Sequence, residues 1–490
     1  MPLRICSIAS EVAPLAKTGG LADVAGALTK CLHAAGHDIR LFMPLYQQVD
    51  RKPLVIEPVP ELRAIPLRLG AHNFTFDVLR TTLPGSAAPL YLVDAPSLYA
   101  RPRIYTSDAD EHLRFLVLTH AALLSCQRLG FAPQILHCND WHTGLAPLLL
   151  KTTYAWDALF RDTRSLMSIH NLAYQGVFGA AQAADTGLGD ATSLLDAGEL
   201  AAGRINPLRE GITHADVIST VSPTYAREIQ TPQYGYGLDA LLRKRAHFIH
   251  GILNGVDTSE WDPATDRYLP LHFDAGNLTG KAALRRQFAA DRKLALPAKE
   301  RVPLVGIISR LASQKGFDLV MQALPALLEK HSFLCGVLGS GEEKYVQFFQ
   351  DLARHYPDRV SFLNGYSESE AHWIEAASDI FLMPSQYEPC GLNQMYSQRY
   401  GTIPVVRRTG GLADSVQHFD PASGRGTGVM FNDYDAGGLT WAIQTALDWY
   451  QDAGTWQRIV SNAMAQDFSW ERRVGEYVSL FEKMLATPRA

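Results

Sequence analysis

Short, continuously apolar runs recur along almost the whole chain and are separated by stretches with helical periodicity. The runs are rich in Val, Ile and Leu and show no polar alternation, which is typical of parallel strands buried on both faces. They lie at 4–9, 39–43, 90–93, 134–138, 165–169, 217–221, 248–253, 303–308, 333–338, 360–363, 379–383 and 403–406. Helical patterns, such as Phe317 to Glu329 and Ala436 to Tyr450, lie between them. This alternation predicts an α/β protein built on doubly wound parallel sheets.

The length of 490 residues exceeds what one hydrophobic core usually organises, so two or three domains are expected. The best boundary lies near 253–300, where a strand ends at Leu253 and a polar, Pro-containing stretch follows. A new strand–loop–helix series starts at Val302. The tail from Phe468 to Leu485 has the pattern of a capped amphipathic helix.

Composition excludes several classes of protein. A formal net charge of −5 argues against a nucleic-acid binder, and no run reaches the ~18 apolar residues of a membrane span. The N-terminal apolar run is short and is followed at once by Glu11, so it indicates a buried strand and not a signal peptide. The six cysteines include no C-x-x-C pair, which fits reduced thiols in a cytoplasm better than disulfides or a zinc site.

The string Thr-Gly-Gly-Leu-Ala-Asp occurs twice, at 18–23 and at 409–414. Each copy follows a strand-like run and precedes a helical pattern, so its glycines can aim backbone N–H groups at an anion. The basic residues beside the copies, Lys17 and then Arg407 and Arg408, favour an anion over mere packing of two similar turns. Two such loops suggest two nucleotide-fold domains that face one ligand across a cleft.

Polar residues follow other predicted strands. Arg310 and Lys315 lie on a loop without acidic residues and can clamp a diphosphate, although a solvated charged loop is the alternative. Glu388 precedes Pro389 and a glycine, which makes it a candidate active-site carboxylate or else a helix N-terminal acid. His170 follows a buried strand directly. A Walker A loop is absent, which disfavours phosphoryl transfer by that route.

Several motifs together resemble the bacterial glycogen synthase and plant starch synthase family. They span residues 4 to about 475 in the family's order, so the resemblance covers nearly the whole chain. The motifs are Lys17 to Leu21, Asp140 to His142, His170 to Gly176, Val221 to Ala226, Leu253 to Gly255, Ser309 to Gly316, Glu388 to Leu392 and Arg407 to Asp414.

The resemblance implies a GT-B fold, with two Rossmann-like doubly wound parallel-sheet domains facing a deep cleft. Residues 1–255 would form the acceptor-side domain and 256–490 the nucleotide-sugar domain, with the last helix, about 468–486, returning to the first. The implied reaction moves glucose from ADP-glucose to the non-reducing 4-OH of an α-1,4-glucan with retention at the anomeric carbon. A carboxylate could attack covalently, but entry of the acceptor on the leaving-group face is preferred, because no second carboxylate is obviously placed.

The resemblance also implies the site residues. Those expected in catalysis are Glu388, His170, Asp140, Arg310 and Lys315. Those expected to bind substrate are Lys17, Gly19, Gly20, Asp23, Tyr99, Asn171, Asn254, Gly341, Cys390, Gly391, Leu392, Thr409, Gly410 and Gly411. No metal and no cofactor are expected, since basic side chains and helix N-termini would neutralise the diphosphate. The expected partners are ADP-glucose and a glycogen or maltodextrin acceptor, without nucleic acid or membrane, and a homo-oligomer stays open.

Some residues depart from the family pattern. Arg101-Pro102-Arg103-Ile104-Tyr105 replaces a Gly-containing version near Tyr99, and Glu342 stands where an Asp is usual. Tyr396 occupies the second acidic position found in wider relatives. Three alternatives stay open: a transferase using UDP-glucose or another acceptor, as in sucrose formation; a non-catalytic glucan-binding protein on the same fold; and an NAD-dependent oxidoreductase. The chain lacks the G-x-G-x-x-G fingerprint that an NAD-dependent oxidoreductase would need.

Overall fold

The computed structural model describes residues 2–297 and 301–487. Its strands are β1 (Arg4–Ile8), β2 (Asp38–Pro44), β3 (Glu57–Pro58), β4 (Ile65–Leu69), β5 (His72–Thr82), β6 (Pro89–Asp94), β7 (Ile135–Asn139), β8 (Arg164–Ile169), β9 (Phe178–Gly179), β10 (Arg204–Ile205), β11 (Val217–Thr220), β12 (Ile249–Gly251), β13 (Leu304–Ile308), β14 (Leu334–Gly339), β15 (Val360–Asn364), β16 (Ile380–Met383), β17 (Ile403–Arg407) and β18 (Val429–Phe431).

Its helices are α1 (Gly20–Ala34), α2 (Pro96–Tyr99), α3 (Glu111–Arg128), α4 (Ala146–Lys151), α5 (Ala197–Ala201), α6 (Pro207–His214), α7 (Pro223–Glu228), α8 (Asp239–Lys244), α9 (Thr279–Asp291), α10 (Phe317–Lys330), α11 (Glu343–His355), α12 (Glu368–Ala377), α13 (Asn393–Arg399), α14 (Gly410–Ser415), α15 (Ala436–Gln451), α16 (Ala453–Met464) and α17 (Trp470–Ala486). Within the described ranges, none of these helices combines the length and the apolar character needed to cross a membrane.

The chain divides into two compact units. The N-terminal unit contains the described residues up to Gly255 together with those from Trp470 onward, and the C-terminal unit runs from Val256 to Ser469. Each unit has its own sheet, and every apolar run predicted as a strand forms one. The prediction of doubly wound parallel sheets is therefore confirmed.

In the N-terminal unit, β1 lies between β7 and β2, and the parallel strand order is β12-β11-β8-β7-β1-β2-β6. An antiparallel extension of β5, β3 and β4 continues beyond β6. The sequence analysis did not predict these three strands. The longest of them, β5, is only partly buried and carries polar residues between its apolar ones. A half-solvated antiparallel strand lacks the continuous apolar run that identified the others.

In the C-terminal unit all strands are parallel, in the order β15-β14-β13-β16-β17-β18. Helices bury apolar side chains against this sheet, for example Phe317 and Leu324 of α10 and Ile443 of α15. Each such large side chain stabilises the fold by about 1.5–3 kcal/mol when fully buried. The predicted helices at 317–329 and 436–450 match α10 and α15 closely.

The last helix, α17, packs within the N-terminal unit. Its Leu480 and Phe481 are buried in one cluster with Leu28 and Leu32 of α1. Gly255 lies so close to Trp470 that a Cβ on it would come within 2.6 Å of the indole. The amphipathic pattern of the tail thus corresponds to a helix docked by its apolar face.

Candidate active site

Both sheets reverse their strand order at one point, and several of the predicted site residues lie on the loops there. In the N-terminal unit the reversal lies between β1 and β7, which are followed by the loops that carry Lys17 and Asp140. In the C-terminal unit it lies between β13 and β16, which are followed by the loops of Lys315 and Glu388. Ligands of open α/β sheets bind at such switch points, outside the carboxyl ends of the strands.

A buried carboxylate, Glu11, organises the first Gly-rich loop. It accepts hydrogen bonds from the Thr18 hydroxyl at 2.6 Å, from the Gly19 amide at 3.1 Å, and from the Thr18 amide and the Tyr105 hydroxyl. The Gly19 amide thus donates to the Glu11 carboxylate in this structure, and its role toward a bound diphosphate stays a prediction. Gly20 differs: it is exposed and begins α1, where amides have no partner inside the helix.

Lys17 and Asp23 form an ion pair beside this loop. The Lys17 Nζ lies 2.8 Å from Asp23 Oδ1, and both side chains are partly exposed. An exposed pair of this kind contributes little stability, about 0–1 kcal/mol, so it can open at small cost. The structure brings together these two residues, which the sequence assigned separately to the site.

Asp140 joins the ends of β7 and β8. Its carboxylate accepts the His170 amide at 2.7 Å, and its backbone has φ of +54°, in the left-handed region that non-glycine residues rarely adopt. Burial raises the pKa of Asp140 to about 7, against the opposing effect of hydrogen bonds from the His170 and Asn171 amides. A strained, buried carboxyl that titrates near neutrality is typical of functional sites.

The His170 ring is held as a neutral imidazole. Burial lowers the pKa of His170 to about 3, with a smaller contribution from His137. Its Nε2 lies 2.9 Å from Asn139 Oδ1, an acceptor, so Nε2 carries the proton. Among the described residues Nδ1 has no partner, although it is buried, which leaves one lone pair to accept a ligand hydroxyl.

Aromatic rings close around the same loops. Tyr105 stacks on His142 with ring centroids 4.9 Å apart, and Trp141 also packs on that histidine, with centroids 4.0 Å apart. Neither His142 nitrogen has a hydrogen-bond partner in the described part of the chain, and burial keeps the pKa of His142 well below its ordinary value. Asn254 is likewise buried with its Oδ1 unpartnered among described residues.

One predicted binding residue of this unit is a core residue. Tyr99 is fully buried, and its hydroxyl donates to the Arg114 carbonyl at 2.7 Å. Tyr99 presents no surface to a ligand in this structure, because α2 turns its ring inward against Tyr46, and its role in substrate binding stays a prediction. Asn171 is half-buried, and its Oδ1 accepts the Ala173 amide at 3.1 Å, which shapes the turn after β8.

In the C-terminal unit, Lys315 and Glu388 form a salt bridge. Lys315 Nζ lies 2.6 Å from Glu388 Oε2, which also accepts the Ser385 hydroxyl at 3.0 Å. Glu388 is buried, whereas Lys315 keeps a fifth of its side chain exposed. The carboxylate is thus fixed by two donors while the ammonium can still reach a ligand.

Arg310 lies on the same loop as Lys315 and is exposed. Within the part of the chain that the structure describes, its guanidinium forms no ion pair. The loop itself is anchored through its backbone, because the Leu311 amide donates to the Ser340 carbonyl at 2.8 Å and the Ser313 amide donates to Glu342 at 2.9 Å. An exposed guanidinium on a fixed loop is well suited to bind a phosphate.

The chain matches two family models. One is the starch synthase catalytic domain, over residues 4–244, and the other is glycosyl transferases group 1, over residues 290–463. Among curated relatives, glycogen synthase from Anaeromyxobacter sp. (strain Fw109-5) is 46% identical over 99% of this chain and 100% of its own length. Glycogen synthase from Anaeromyxobacter dehalogenans is 44% identical over 98% of this chain and 99% of its own.

The chain belongs to the glycogen synthase and starch synthase family. It is a glycosyltransferase of GT-B fold, as the sequence predicted. The catalytic domain of starch synthase IV from Arabidopsis thaliana, a structure bound to ADP and acarbose, superposes with a TM-score of 0.91 at 33% identity over 99% of this chain and 100% of its own. A sucrose-phosphate synthase from Thermosynechococcus elongatus shares the fold, with a TM-score of 0.60 at 18% identity.

The second Gly-Gly pair of this family member does not resemble the first in its surroundings. Gly410 has φ of +43°, and a Cβ on it would lie 1.9 Å from the Glu388 carbonyl oxygen. The Gly411 amide donates to the carbonyls of Glu388 and Pro389, each at 3.1 Å. In this structure the second pair packs against the Glu388 loop, and the role of the Gly411 amide toward an anion stays a prediction. By contrast, a Cβ on Gly19 or Gly20 would meet nothing within 4 Å.

Other predicted residues of the C-terminal unit also shape these loops. Gly341 and Gly391 both have positive φ, and a Cβ on Gly341 would lie 2.2 Å from the Leu311 carbonyl oxygen. Cys390 and Thr409 are buried, and Leu392 is half-buried immediately before α13. These positions hold the backbone of the Arg310 and Glu388 loops in place.

Sequence reasoning missed Glu11, Tyr105, Asn139 and Ser385. Glu11 was noticed only as a polar residue after the first strand, although a buried-strand run that ends in an acidic residue a few positions before a Gly-Gly pair is a usable signal. Tyr105 and Asn139 act through hydrogen bonds to residues distant in sequence, which no local pattern reveals. Ser385 donates to Glu388, three positions further along the chain. At Tyr396, where wider relatives have an acid, the ring stacks on Trp261 with centroids 3.9 Å apart.

Among the described residues, neither switch point gathers three side chains that could ligate one metal ion; the group that does is Glu260, Glu368 and His372 in the C-terminal unit.

Proposed function

We propose that this enzyme transfers glucose from ADP-glucose to the non-reducing 4-OH of an α-1,4-glucan, with retention at the anomeric carbon. The observation that carries the proposal is the Lys315–Glu388 pair beside the exposed Arg310, at the strand switch point of the C-terminal unit. It supplies two cations for a leaving diphosphate and one fixed carboxylate for a sugar. The ADP bound in the related starch synthase supports the choice of nucleotide.

Arg310 and Lys315 would stabilise the negative charge that builds on the diphosphate as the donor C1–O bond breaks. The transition state is then oxocarbenium-like, and fixed donors stabilise it without reorganisation. Removal of one such donor typically costs about 10²–10³ in turnover. An ammonium has three donors, so Lys315 can hold Glu388 and a phosphate oxygen together.

Glu388 would fix the glucosyl unit through its hydroxyls, with the Gly391 and Leu392 turn shaping the pocket and Cys390 buried behind it. Lys315 and Ser385 already engage Oε2 of Glu388, which favours an electrostatic and hydrogen-bonding role over covalent attack. In the same-face route, the acceptor 4-OH attacks C1 as the diphosphate leaves. Its proton passes to a phosphate oxygen, so no second carboxylate is required.

In the N-terminal unit, His170 would accept a sugar hydroxyl at Nδ1, since its Nε2–H is held by Asn139. The Asp140 carboxylate would stabilise the positive charge that develops on the oxocarbenium-like sugar. Asn171 and Asn254 would shape the sugar-binding surface of the same unit. Lys17 and the Gly20 amide at the start of α1 would bind an anion after the Lys17–Asp23 pair opens.

The assignment of the acceptor to the N-terminal unit and of the nucleotide sugar to the C-terminal unit belongs to this proposal. A nucleotide-sugar donor and a glucan acceptor follow from the family. Glycogen or maltodextrin as the acceptor and a cytoplasmic location are the finer proposals. The six cysteines include no C-x-x-C pair, which supports a reducing compartment.

The test is release of nucleoside diphosphate from ADP-glucose and, separately, from UDP-glucose, with and without glycogen and with no added metal. We expect glycogen-dependent ADP release that is much faster than UDP release. Faster release from UDP-glucose would overturn the donor assignment. Glycogen binding without release from either donor would favour a glucan-binding protein and remove the proposed roles of Glu388 and His170.

A further inference from the structure

A buried histidine in the C-terminal unit has one ring nitrogen hydrogen-bonded, while the other makes only a 3.7 Å contact with a carboxylate. His372, in the second turn of α12, has no exposed side-chain surface, and its Nδ1 lies 2.7 Å from Asp266 Oδ2. Asp266 is itself fixed by the Tyr400 hydroxyl at 2.6 Å and the Tyr268 amide at 2.9 Å. This arrangement places a proton on Nδ1 and orients the ring, as the carboxylate partners of metal-bound histidines do.

The opposite nitrogen, His372 Nε2, has no hydrogen-bond partner among the described residues, although it is buried. The indole of Trp261 lies flat against the ring, with centroids 3.7 Å apart and an angle of 12° between the planes. The ring therefore cannot turn to satisfy Nε2 elsewhere. A buried, oriented nitrogen without a hydrogen bond costs free energy unless a ligand binds it.

Two carboxylates converge on Nε2. Glu368 lies one helical turn before His372 on α12, with an oxygen 3.7 Å from Nε2, and Glu260 approaches from the loop before Trp261. One ligand atom from each of the three residues lies within 4.8 Å of the other two. Atoms bound to one zinc ion at about 2.0–2.2 Å are at most about 4.4 Å apart, so a small rotation of the exposed Glu260 side chain completes the set.

We propose that Glu260, Glu368 and His372 bind one divalent transition-metal ion, with water completing the coordination. One imidazole and two carboxylates suit Zn²⁺ and its first-row neighbours, whereas Mg²⁺ prefers an all-oxygen set. The site is separate from the Lys315–Glu388 pair and takes no part in the proposed transfer. Because Glu260 belongs to the irregular segment before α9, the ion ties that segment to α12 and stabilises the C-terminal unit.

The experiment is calorimetric titration of the tag-free, metal-stripped full-length protein with Zn²⁺, in competition with a chelator of known affinity. Titration with Co²⁺, followed by its visible absorption, reports the coordination directly. We expect one tight equivalent, a Co²⁺ band that Zn²⁺ removes, a higher midpoint of thermal unfolding with Zn²⁺, and no comparable response to Mg²⁺.

Glu368→Gln and Glu260→Gln each remove one ligand at a partly exposed position and should fold normally. We expect each to weaken Zn²⁺ binding at least tenfold, and Asp266→Asn to weaken it by about 10–100-fold as loss of a supporting carboxylate does. Glu370→Gln is the matched control: it lies on the same helix at similar exposure but pairs with Arg292. Absence of a tight equivalent in the wild type would overturn the proposal. Equal affinity in Glu368→Gln, Glu260→Gln and Glu370→Gln would overturn it as well, and would leave the three residues as an ion-pair cluster.

Discussion

Lys315 Nζ and Glu388 Oε2 lie 2.6 Å apart, although the two residues are separated by 73 positions in the chain. The contact joins the loop after β13 to the loop after β16, which are neighbouring parallel strands. The sequence analysis treated these two residues as separate candidates, but in the structure they form one salt bridge. Substitution of Lys315 therefore has two consequences, one for charge at the site and one for the buried carboxylate that remains.

Lys315→Ala should lower turnover by about 10²–10³ and also reduce the free energy of unfolding by about 1–3 kcal/mol, since Glu388 stays buried with only Ser385 as a side-chain donor. Arg310→Ala is the comparison, because Arg310 is exposed and forms no ion pair in the described chain. It should lose turnover to a similar extent but change stability by no more than about 0.5 kcal/mol. Steady-state kinetics and urea unfolding measure both effects, and near-normal turnover in either variant would contradict the diphosphate role.

The two Thr-Gly-Gly strings should respond differently to alanine. Gly410→Ala forces a Cβ against the Glu388 carbonyl at positive φ, so we expect a loss of more than about 2 kcal/mol of stability together with loss of activity. Gly20→Ala meets open space at the start of α1 and should leave the thermal midpoint unchanged or higher, with its effect confined to KM for the donor. If Gly410→Ala were as stable as the wild type, the packing role of the second copy would be wrong.

Glu11→Gln should disorganise the first Gly-rich loop. The amide can replace only part of the carboxylate, which accepts from Thr18, Gly19 and Tyr105, so we expect about 1–3 kcal/mol of destabilisation and a higher KM for ADP-glucose. Tyr105→Phe keeps the carboxylate and removes one of its donors, and should show a smaller effect on both quantities. Indistinguishable kinetics in Glu11→Gln and wild type would show that the loop does not depend on this carboxylate.

The activity of the wild type should rise with pH through about 7. Burial raises the pKa of Asp140 to about 7, and only the ionised carboxylate stabilises the positive charge of the transition state. Asp140→Asn keeps an acceptor for the His170 amide, tolerates the positive φ, and should lose both activity and this limb of the kcat/KM profile. The raised pKa also means that the stability contributed by Asp140 is present at low pH and is lost as pH rises from about 4 through 7. A wild-type profile that is flat between pH 6 and 8 would argue against titration of Asp140.

His120 makes the opposite contribution to stability. Burial lowers the pKa of His120 to about 4, although the Thr186 carbonyl opposes the shift. Below pH 6.5 the unfolded chain takes up a proton that the folded chain does not, so stability falls as pH drops from about 6.5 to 4, by about 3 kcal/mol at most. His120→Gln should remove this part of the pH dependence. Denaturant unfolding of both proteins at several pH values provides the difference, and parallel curves would contradict the expected shift.

Short windows of the sequence are enough to identify the helices and strands and the loops between them that carry polar residues. The apolar run at 303–308 and its counterparts identified the parallel strands, because burial on both faces leaves its mark within a few residues. The residues that follow these runs predicted polar loops at Arg310, Glu388 and His170. The amphipathic pattern of the tail predicted α17. These are properties of short windows of chain, and they do not depend on what lies opposite.

How those loops combine depends on long-range packing. Tyr99 packs in the core, the Gly19 amide donates to Glu11, and Gly410 packs against the Glu388 carbonyl. Gly20, by contrast, stays exposed. Identical six-residue strings thus play different parts, since backbone conformation and neighbours come from strand order and not from the string. The pairing of Lys315 with Glu388 follows from the adjacency of β13 and β16, a long-range relation that no local periodicity encodes.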